Sequence, residues 1–450
     1  MRNYFRVLYY LYGMMNRAHS DHGKLVEHQN RNLRKVVQYA YDYVPFYHQK
    51  LKEKGMKPSD IRTVKDLSKL PITRKDEIKR EPGRIISTEF DINDLHMLST
   101  SGSTGQPLRV FINSNEDDYR KAKHLTANIM CGQKPRDRYV TITSPSHFGE
   151  VPRLLRIIGF FDRAFVSVFD NVDKQISTIE KIKPDVLAGY SSSLSLLAKE
   201  VEKRGVHTIR PKFVLGGAEL IDEFSRQYIE DVLDAPFYDQ YAIVELDRIA
   251  WQCTEKSQYH IDADSIIVEF LDDDGEEVAA GEKGEIVCTS LFNRAMPFIR
   301  YFVGDIGIPS DEACPCGISL PSMKVIEGRK DSLLLLPDGR LLSPRTFTVA
   351  MNMFKSRTCN GDIDQFRVIQ RKLDLFEVHI KMKNEGIDER NMEKELVGHL
   401  RKALNLDADD VTFEMEFDED IPLDKSGKLS AVVSMLKKNP HVDQERLRSG

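Results

Sequence analysis

The sequence predicts an α/β fold, with a large N-terminal α/β domain that includes a β-rich subdomain and a small C-terminal α+β domain. Three observations support this. From about residue 137, strand-like runs such as "RYVTITS" and "PDVLAGY" alternate with helical patterns such as "SSLSLLAKEVEKRG", which favours a sheet flanked by helices. A β-rich stretch with Asp-Gly and Gly-Glu-Lys-Gly turns follows. Beyond residue 331 a new helix–strand–strand–helix–strand pattern begins.

Length and composition set the outer limits. A chain of 450 residues exceeds one ordinary core, and we divide it into residues 1–330 and 331–450. The formal net charge is −5, with 65 basic and 70 acidic residues interspersed, so no basic footprint for nucleic acid is present. Six scattered cysteines do not make a disulfide framework. We expect a cytoplasmic protein with no nucleic-acid partner.

The N-terminal elements are predicted to be helical. The start, "MRNYFRVLYYLYGMM", is interrupted by Arg6 and is far shorter than the ~20 apolar residues that span a bilayer. We expect an aromatic helix packed on the body with no stable membrane insertion, and weak contact with a membrane surface stays open. A helical pattern with Leu33, Val36, Val37, Ala40 and Val44 breaks at Pro45. Thr73 is the expected N-cap of a short helix.

The remaining elements follow from turn signals and periodicity. "SIIVEFLDDDGEEVAAGEKGEIVCTSL" predicts a hairpin or a small barrel. In the C-terminal part we predict a helix over residues 346–355, a strand over 365–371, a second strand in "LFEVHIKMK", a helix in "DERNMEKELVGHLRKALNL" and a strand in "VTFEMEF".

The stretch "LSTSGSTGQPLRV" (98–110) is a loop rich in glycine and small hydroxyls. Gly102 and Gly105 free backbone N–H groups, and Ser101, Ser103 and Thr104 add hydroxyls, so the loop can wrap anionic oxygens. It is not a Walker A loop, because position 108 is Leu and no lysine follows the glycines. Taken alone, a flexible surface turn is the alternative.

Five further motifs follow in a fixed order: "GGAEL" (216–220), "YAIVE" (241–245), "RYFVGD" (300–305), "EGRKD" (327–331) and "DKSGKL" (424–429). With the glycine-rich loop, this set resembles the adenylate-forming superfamily of acyl-CoA synthetases and adenylation domains. "VVQYAYDYVPFYHQKL" and "LPITRKDEI" are similar to its phenylacetate–coenzyme A ligase branch, which includes capsule-locus and coenzyme F390 synthetase-like relatives. The resemblance covers nearly the whole chain.

The resemblance implies a role for each matching residue in the large domain. The loop would hold the β- and γ-phosphates of ATP, and its missing lysine is also commonly lost in this branch. A close-fitting turn would face adenine, Tyr241 would stack on the base, Glu245 would help to hold Mg²⁺ and Asp305 would accept the ribose hydroxyls. Ala242 stands where the family usually has Gly. The cofactor-binding residues implied are Ser101, Gly102, Ser103, Thr104, Gly105, Gly216, Gly217, Ala218, Glu219, Tyr241, Asp305 and Arg329.

The small domain is implied to be a mobile lid. Arg329 would bond the ribose or a phosphate, Asp331 would be the hinge, and Lys428 in "SGKL" would neutralise charge on the carboxylate and α-phosphate as the acyl-adenylate forms. A solvated lysine is the alternative for Lys428. Lys428 and Glu245 are thus the expected catalytic residues.

Cys253, His260, Cys314 and Cys316 supply three sulfurs and one imidazole, a set that suits a closed tetrahedral zinc site. The spacing is not that of a zinc finger, and buried cysteines with a surface histidine are the alternative. Similar Cys/His sets with zinc in relatives of the phenylacetate-ligase branch favour structural Zn²⁺.

The acyl pocket is the least defined part of the prediction. His147, Phe148 and Tyr190 are candidate lining residues, and a core or loop role is equally open for each.

The resemblance implies ATP-dependent activation of a carboxylic acid and transfer to coenzyme A, with release of AMP and pyrophosphate. An aromatic acid is expected from the family and not from any residue of this chain. The alternatives are a non-CoA acceptor, namely a carrier protein, an amine or a hydroxyl that takes AMP, and a non-catalytic nucleotide-binding scaffold. A homodimer is left open.

Overall fold

The computed structural model describes residues 3–99, 108–145, 161–219, 221–329, 334–338, 340–342, 344–357, 363–383, 388–404, 406, 411–422 and 431–436. The chain divides into two compact units, Met1–Ile326 and Glu327–Gly450.

Helices of three or more turns lie in both units. Along the chain, the α-helices of the described residues are α1 (Tyr4–Ala18), α2 (His22–Tyr43), α3 (Pro45–Glu53), α4 (Lys75–Arg80), α5 (Ser114–Met130), α6 (Val172–Ile182), α7 (Ser191–Lys203), α8 (Glu223–Leu233), α9 (Pro344–Arg357) and α10 (Glu389–Leu404). Short 3₁₀ helices cover Pro58–Asp60, Val64–Lys69 and Ile92–Asp94.

The strands are β1 (His96–Ser99), β2 (Arg109–Ile112), β3 (Tyr139–Thr143), β4 (Arg163–Ser167), β5 (Val186–Gly189), β6 (Phe213–Gly217), β7 (Phe237–Ile243), β8 (Asp247–Gln252), β9 (Tyr259–Ile261), β10 (Ile266–Leu271), β11 (Gly284–Ser290), β12 (Tyr301–Ser310), β13 (Ser322–Arg329), β14 (Leu334–Leu335), β15 (Leu341–Leu342), β16 (Ile363–Lys372), β17 (Leu375–Met382), β18 (Thr412–Phe417) and β19 (Val432–Ser434). The large sheet has 11 strands in the order β10-β11-β12-β13-β9-β8-β7-β6-β5-β3-β4.

One half of this sheet is parallel. β4, β3, β5, β6 and β7 pair in parallel, with α6, α7 and α8 as crossover helices. The central strands β3, β5 and β6 are largely buried and carry several Val, Leu and Ile residues, as a sheet covered on both faces requires. The predicted alternation of strands and helices is confirmed, and the carboxyl ends of the parallel strands meet at one edge.

The other half is antiparallel. β7 pairs with β8, β8 with β9, and β10 with β11 in antiparallel fashion. β10 and β11 form the predicted hairpin, which belongs to the large sheet and does not close a separate barrel.

The N-terminal helices cover the antiparallel half. Leu33, Val36 and Val37 of α2 are buried in the core, and α2 ends at Tyr43, so the predicted helix and its break at Pro45 are confirmed. A new helix, α3, begins at Pro45 with proline in its first turn. The expected N-cap at Thr73 is wrong. Arg74 caps α4, and Thr73 instead forms an isolated parallel bridge with Tyr301, because its amide donates to the Arg300 carbonyl and its carbonyl accepts from Phe302.

The unit Glu327–Gly450 contains its own sheet and core. Its four strands lie in the order β18-β17-β16-β19, and buried side chains of α9 and α10 pack against them. The elements predicted for this part are confirmed at Pro344–Arg357, Ile363–Lys372, Leu375–Met382, Glu389–Leu404 and Thr412–Phe417. In the described parts of the chain, none of the helices combines the length and apolar character needed to cross a bilayer.

Candidate active site

The candidate site begins at the carboxyl edge of the parallel strands, where α/β sheets commonly bind ligands. Tyr190 follows β5, Ala218 and Glu219 follow β6, and Tyr241 lies near the end of β7. Because neighbouring parallel strands end at the same edge, four residues that are distant in sequence lie on adjacent strand ends.

Two glycines at the end of β6 allow a close approach of the backbone. A Cβ atom at Gly216 would lie 1.9 Å from Cζ of the buried Phe237 ring, and one at Gly217 would lie 2.8 Å from the Gln240 carbonyl oxygen. Ala218 follows with a φ of 65°, in the left-handed region that non-glycine residues adopt infrequently. The "GGA" segment is therefore a tightly packed turn at the strand end.

Glu219 connects this turn to the start of α7. The amide of Ser192 donates a 2.9 Å hydrogen bond to Glu219 Oε2, and a carboxylate at a helix N-terminus is favoured by the exposed N–H groups there. Tyr190, the residue before α7, is buried and accepts a 3.2 Å hydrogen bond from the Thr143 hydroxyl. Its position at the end of β5 keeps it a candidate for the acyl pocket, and its ring belongs to the core under the sheet.

Tyr241 and Asp305 form a direct contact. The Tyr241 hydroxyl donates a 2.6 Å hydrogen bond to Asp305 Oδ2, and Asp305 is largely buried on β12. The pairing of β7 with β8 shifts register between Tyr241 and Ala242. A bulge of this kind redirects a side chain, and it occurs where the resembling family usually has glycine.

Glu245 lies in the turn between β7 and β8 and is almost fully buried. Its Oε1 atom accepts hydrogen bonds of 3.0 Å from Lys75 Nζ and 3.0 Å from the Tyr301 hydroxyl. Lys75 is the first residue of α4, and Tyr301 is the first residue of β12. A buried carboxylate with these donors is fixed in orientation, and carboxylate oxygens are the ligands that Mg²⁺ prefers.

Two polar clusters brace these strands. The guanidinium of Arg300, just before β12, pairs with Glu269 at 2.9 Å and donates to the Leu70 carbonyl at 2.7 Å, with both side chains buried. At the start of β8, Asp247 accepts from His124 at 2.8 Å and lies 3.2 Å from Lys123 Nζ. Burial opposes ionisation of Asp247, but the charges of His124 and Lys123 outweigh it and hold its pKa well below the usual value.

The structure brings Cys253, His260, Cys314 and Cys316 together in the unit Met1–Ile326. Their ligand atoms all lie within 4.8 Å of one another. Cys253 follows β8, His260 lies on β9, and Cys314 and Cys316 lie between β12 and β13. The Cys253 and Cys314 sulfurs are 3.6 Å apart, and Cys316 Sγ is 3.3 Å from His260 Nε2. The edges of a tetrahedral site with Zn–S bonds of about 2.3 Å measure about 3.8 Å, so the donor set fits a zinc ion.

Burial also affects the ionisation of this cluster. It raises the pKa of the Cys253 thiol above its usual value and lowers the pKa of His260, which keeps the imidazole neutral. A neutral imidazole is the form that binds a metal.

Several predicted residues lie outside the described parts of the chain. These are Ser101, Gly102, Ser103, Thr104, Gly105, His147, Phe148, Asp331 and Lys428. Arg329 is the last residue of β13, and its side chain is likewise outside the description.

Comparison with known proteins agrees with this geometry. A phenylacetate–coenzyme A ligase of Thermus thermophilus is 28% identical over 325 residues, which are 70% of this chain and 72% of the relative. A phenylacetate–coenzyme A ligase of Pseudomonas putida is 27% identical over 402 residues, 84% of this chain and 87% of the relative. Over most of its length the chain is similar to these phenylacetate–coenzyme A ligases. No protein-family model matches it.

One solved structure shares the fold of this chain over nearly its whole length. A 2-hydroxyisobutyryl-CoA ligase in the postadenylation state, in complex with R3-HIB-AMP, matches with a TM-score of 0.78 at 18% sequence identity, over 96% of this chain and 94% of that protein. The large mixed α/β assembly is therefore the adenylate-forming fold.

Sequence reasoning missed two residues that contact Glu245, namely Lys75 and Tyr301. Both lie inside motifs that the sequence analysis quoted, "LPITRKDEI" and "RYFVGD". The motifs mark the segments as related, but only the fold reveals that the two segments meet at one carboxylate.

Proposed function

We propose that this chain activates an aromatic carboxylic acid with ATP and transfers the acyl group to coenzyme A, with release of AMP and pyrophosphate. The observation that carries the proposal is the meeting of the Gly216–Gly217 turn, the Tyr241–Asp305 pair and buried Glu245 around the carboxyl edge of the parallel strands, in a chain related to phenylacetate–coenzyme A ligases. The aromatic character of the acid rests on the names of those relatives.

The nucleotide is held by residues with distinct tasks. The Gly216–Gly217 turn packs tightly against Phe237 and Gln240 and so fixes the backbone that faces adenine, and Tyr241 stacks on the base. Asp305, oriented by the Tyr241 hydroxyl, accepts the ribose hydroxyls with its two oxygens. The loop residues Ser101 to Gly105 supply amides and hydroxyls to the phosphates. Glu245 holds Mg²⁺, which when bound neutralises phosphate charge.

Two transfers complete the reaction. A carboxylate oxygen of the acid attacks the α-phosphorus in line, the bond to the β-phosphate oxygen breaks, and pyrophosphate leaves. The thiol sulfur of coenzyme A then attacks the acyl carbon of the acyl-adenylate, its proton is lost, and AMP leaves with the electrons of the broken acyl–oxygen bond. The protein contributes orientation and charge neutralisation to both steps.

The catalytic lysine is proposed to be Lys428, and the hinge Asp331, with Arg329 beside it. Lys428→Ala should slow adenylate formation about a hundredfold or more, as expected when a transition-state charge contact is lost, while ATP binding stays near normal. Asp331→Pro should spare adenylation and block thioester formation. Undiminished adenylation in the first variant would remove the role of Lys428, and equal loss of both steps in the second would remove the hinge.

The activity is tested by AMP release from ATP and Mg²⁺ with a panel of aryl and aliphatic acids, each with and without coenzyme A. Acid-dependent AMP release that rises with coenzyme A is the expected result. Pyrophosphate exchange without stimulation by coenzyme A would move the acceptor to a carrier protein, an amine or a hydroxyl. No exchange with any acid, in protein that binds ATP, would favour a non-catalytic scaffold.

We also propose one structural zinc ion on Cys253, His260, Cys314 and Cys316. The sulfur–sulfur and sulfur–nitrogen distances of 3.6 and 3.3 Å support it, as does the donor set, which fills four positions and leaves none for substrate. The ion ties the end of β8, which pairs with the Tyr241 strand β7, to the segment that follows β12, the strand of Asp305, and so stiffens both. We also propose a cytoplasmic location for the protein, and its oligomeric state stays open.

A further inference from the structure

The glycine-rich loop lacks the cation that usually accompanies a triphosphate. Residues 100–107 contain no Lys, Arg or His, and position 108 is Leu, whose side chain is buried with 2% of its surface exposed. P-loop proteins add a loop lysine to the backbone amides and Mg²⁺ that hold the phosphates. In this chain a cation from another element can take the place of that lysine.

Lys75 is placed to supply it. It begins α4, and its Nζ donates to Glu245 Oε1 at 3.0 Å. The Lys75 side chain is 30% exposed, whereas that of Glu245 is 6% exposed, so the lysine reaches from the surface to the proposed magnesium ligand. Tyr301 donates to the same oxygen, so Glu245 keeps one hydrogen bond when the ammonium leaves.

The neighbouring cations are engaged elsewhere. The Arg74 guanidinium lies 4.5 Å from the centre of the Phe302 ring. Lys123 is buried with Asp247 and donates to the Arg248 carbonyl at 2.8 Å. Arg120 contacts only the backbone oxygen of Glu245 in this turn, at 3.5 Å. Lys75 is thus the cation that meets the Glu245 carboxylate directly and retains access to solvent.

We propose that Lys75 replaces the missing loop lysine and binds a phosphate oxygen of ATP once Mg²⁺ occupies Glu245. The inference rests on the proposed function, since it requires a nucleoside triphosphate at this site. It adds a ligand contact from α4, an element that precedes the glycine-rich loop in the chain. A flexible lysine can exchange a carboxylate for a phosphate without a change in the backbone.

Calorimetric titration with ATP and with AMP, in the presence of Mg²⁺ and without acid, tests this contact independently of turnover. Lys75→Met should weaken ATP binding at least tenfold and leave AMP binding unchanged, and Lys75→Arg should restore most of the ATP affinity. Lys50→Met is the matched control, because Lys50 forms a similar 2.9 Å ion pair with Glu77 of the same helix α4. It should bind ATP as the wild type does.

Unchanged ATP affinity in Lys75→Met, or equal weakening of ATP and AMP, would overturn the contact and assign the lysine a structural role. If Lys75→Met does not fold, as judged by its melting curve, Lys75→Gln takes its place in the same titrations. Failure of the wild type to release AMP with any acid would instead count against the proposed function, since ATP binding is measured separately.

A second, independent observation concerns α1. Phe5, Leu8, Tyr9 and Tyr12 form an aromatic ridge along one side of this helix, with 87%, 55%, 73% and 72% of their surfaces exposed. The positions i, i+3, i+4 and i+7 share one helix face. An exposed apolar surface of this size indicates an interaction site.

The opposite side of α1 is firmly attached, so the ridge is a fixed feature. Val7 and Met14 are buried against α5, Arg6 pairs with Asp118 at 2.7 Å, and the Tyr10 hydroxyl donates to Asn115 at 2.8 Å. The helix is therefore apolar on two opposite sides, of which the fold covers one.

Charge and area favour a lipid surface over a second copy. Residues 1–20 contain Arg2, Arg6 and Arg17 and no Asp or Glu. The guanidinium groups of Arg6 and Arg17 pair with carboxylates that are only 1% and 11% exposed, and the two arginine side chains remain 33% and 30% exposed, so these acidic partners present little negative surface beside the helix. An aromatic side chain buries about 150–250 Å², and the ridge can bury on the order of 500 Å² per chain, less than the about 800 Å² per partner of a standard interface.

We infer that the aromatic ridge docks on an anionic membrane surface, with the helix lying in the plane of the interface. Tyr and Phe side chains favour the boundary between headgroups and acyl chains. Cosedimentation with phosphatidylcholine vesicles, with and without phosphatidylglycerol, tests the inference. Binding should require phosphatidylglycerol and should fall at least tenfold in Phe5→Gln/Tyr9→Gln, while Phe224→Gln, which removes an exposed phenylalanine on α8, should bind as the wild type does.

Absence of vesicle binding by the wild type, or equal binding by the double variant, would overturn the inference. Sedimentation equilibrium tests the alternative that the ridge binds a second copy of the chain. A dimer that dissociates in Phe5→Gln/Tyr9→Gln, without vesicle binding, would assign the ridge to a second copy of the chain and contradict a membrane role.

Discussion

The Tyr241 hydroxyl donates to Asp305 across two strands that do not pair, over 2.6 Å. β7 and β12 are four places apart in the sheet order, and strands spaced by about 4.8 Å would lie about 19 Å apart in a flat sheet. The antiparallel half of the sheet must therefore curve strongly between them. This curvature brings the two motifs "YAIVE" and "RYFVGD" into contact.

Removal of that hydroxyl should weaken ATP binding without loss of the stacking ring. A hydrogen bond to a charged group contributes about 1.5–3 kcal/mol, and 1.4 kcal/mol corresponds to about tenfold in affinity. We expect Tyr241→Phe to bind ATP about tenfold more weakly by calorimetry, and Tyr241→Ala more weakly still because it also removes the ring. Wild-type affinity in Tyr241→Phe would mean that Asp305 does not need this hydrogen bond for its orientation.

Gly216→Ala should destabilise the large unit and abolish nucleotide binding. The added Cβ would lie 1.9 Å from the buried Phe237 ring, and overpacking of a core costs about 1–3 kcal/mol. The melting temperature should fall by several degrees. Gly398→Ala is the control, and it should raise the melting temperature. Nothing lies within 4 Å of its Cβ position in α10, and alanine stabilises a helix by about 1 kcal/mol relative to glycine. An unchanged melting temperature for Gly216→Ala would show that Phe237 moves freely.

Asp247 should control the acid stability of the large unit. Its depressed pKa means that the folded state favours the carboxylate. The stabilisation is present above the unfolded pKa of about 3.9 and is lost as the pH falls from there toward the lower folded pKa. Asparagine tolerates the φ of 63° at this position but carries no charge. In Asp247→Asn the melting temperature should therefore fall less steeply at acid pH than it does in the wild type.

Asp274→Asn is the comparison for this pH profile, because Asp274 is an exposed residue between β10 and β11. The melting temperature of Asp274→Asn should fall with acid pH as that of the wild type does. If the melting temperature of Asp247→Asn shows the same fall, the His124 and Lys123 contacts do not govern acid unfolding. The result bears on function, since Asp247 ends the turn that presents Glu245.

The sequence predicts elements whose signals are local. The strand–helix alternation around β5 and α7, the helix break at Pro45 and the β10–β11 hairpin all depend on periodicity or turn residues within a short window, and all are present. Thr73 was placed wrongly because its bridge to Tyr301 depends on a segment more than two hundred residues away. The same holds for Lys75, whose partner Glu245 is known only once the chain has folded.

The Cys–His cluster could be predicted from the sequence only in part. Residue types alone predict a metal site, and the fold brings all four donors within 4.8 Å of one another. The cluster joins β8, β9 and the segment before β13, so sequence spacing could not fix its geometry. The metal content of the purified protein decides whether these donors bind a metal ion.

Purified protein should contain about one zinc per chain, as a single four-ligand structural site binds one ion. Cys314→Ser should lose the metal and lower the melting temperature, since binding of a structural ion is coupled to folding. Cys288→Ser is the matched control, because Cys288 is fully buried on β11 and lies outside the cluster. It should keep the zinc. Metal-free wild-type protein, or equal metal loss in both variants, would contradict the site and leave the four residues as buried thiols beside a core histidine.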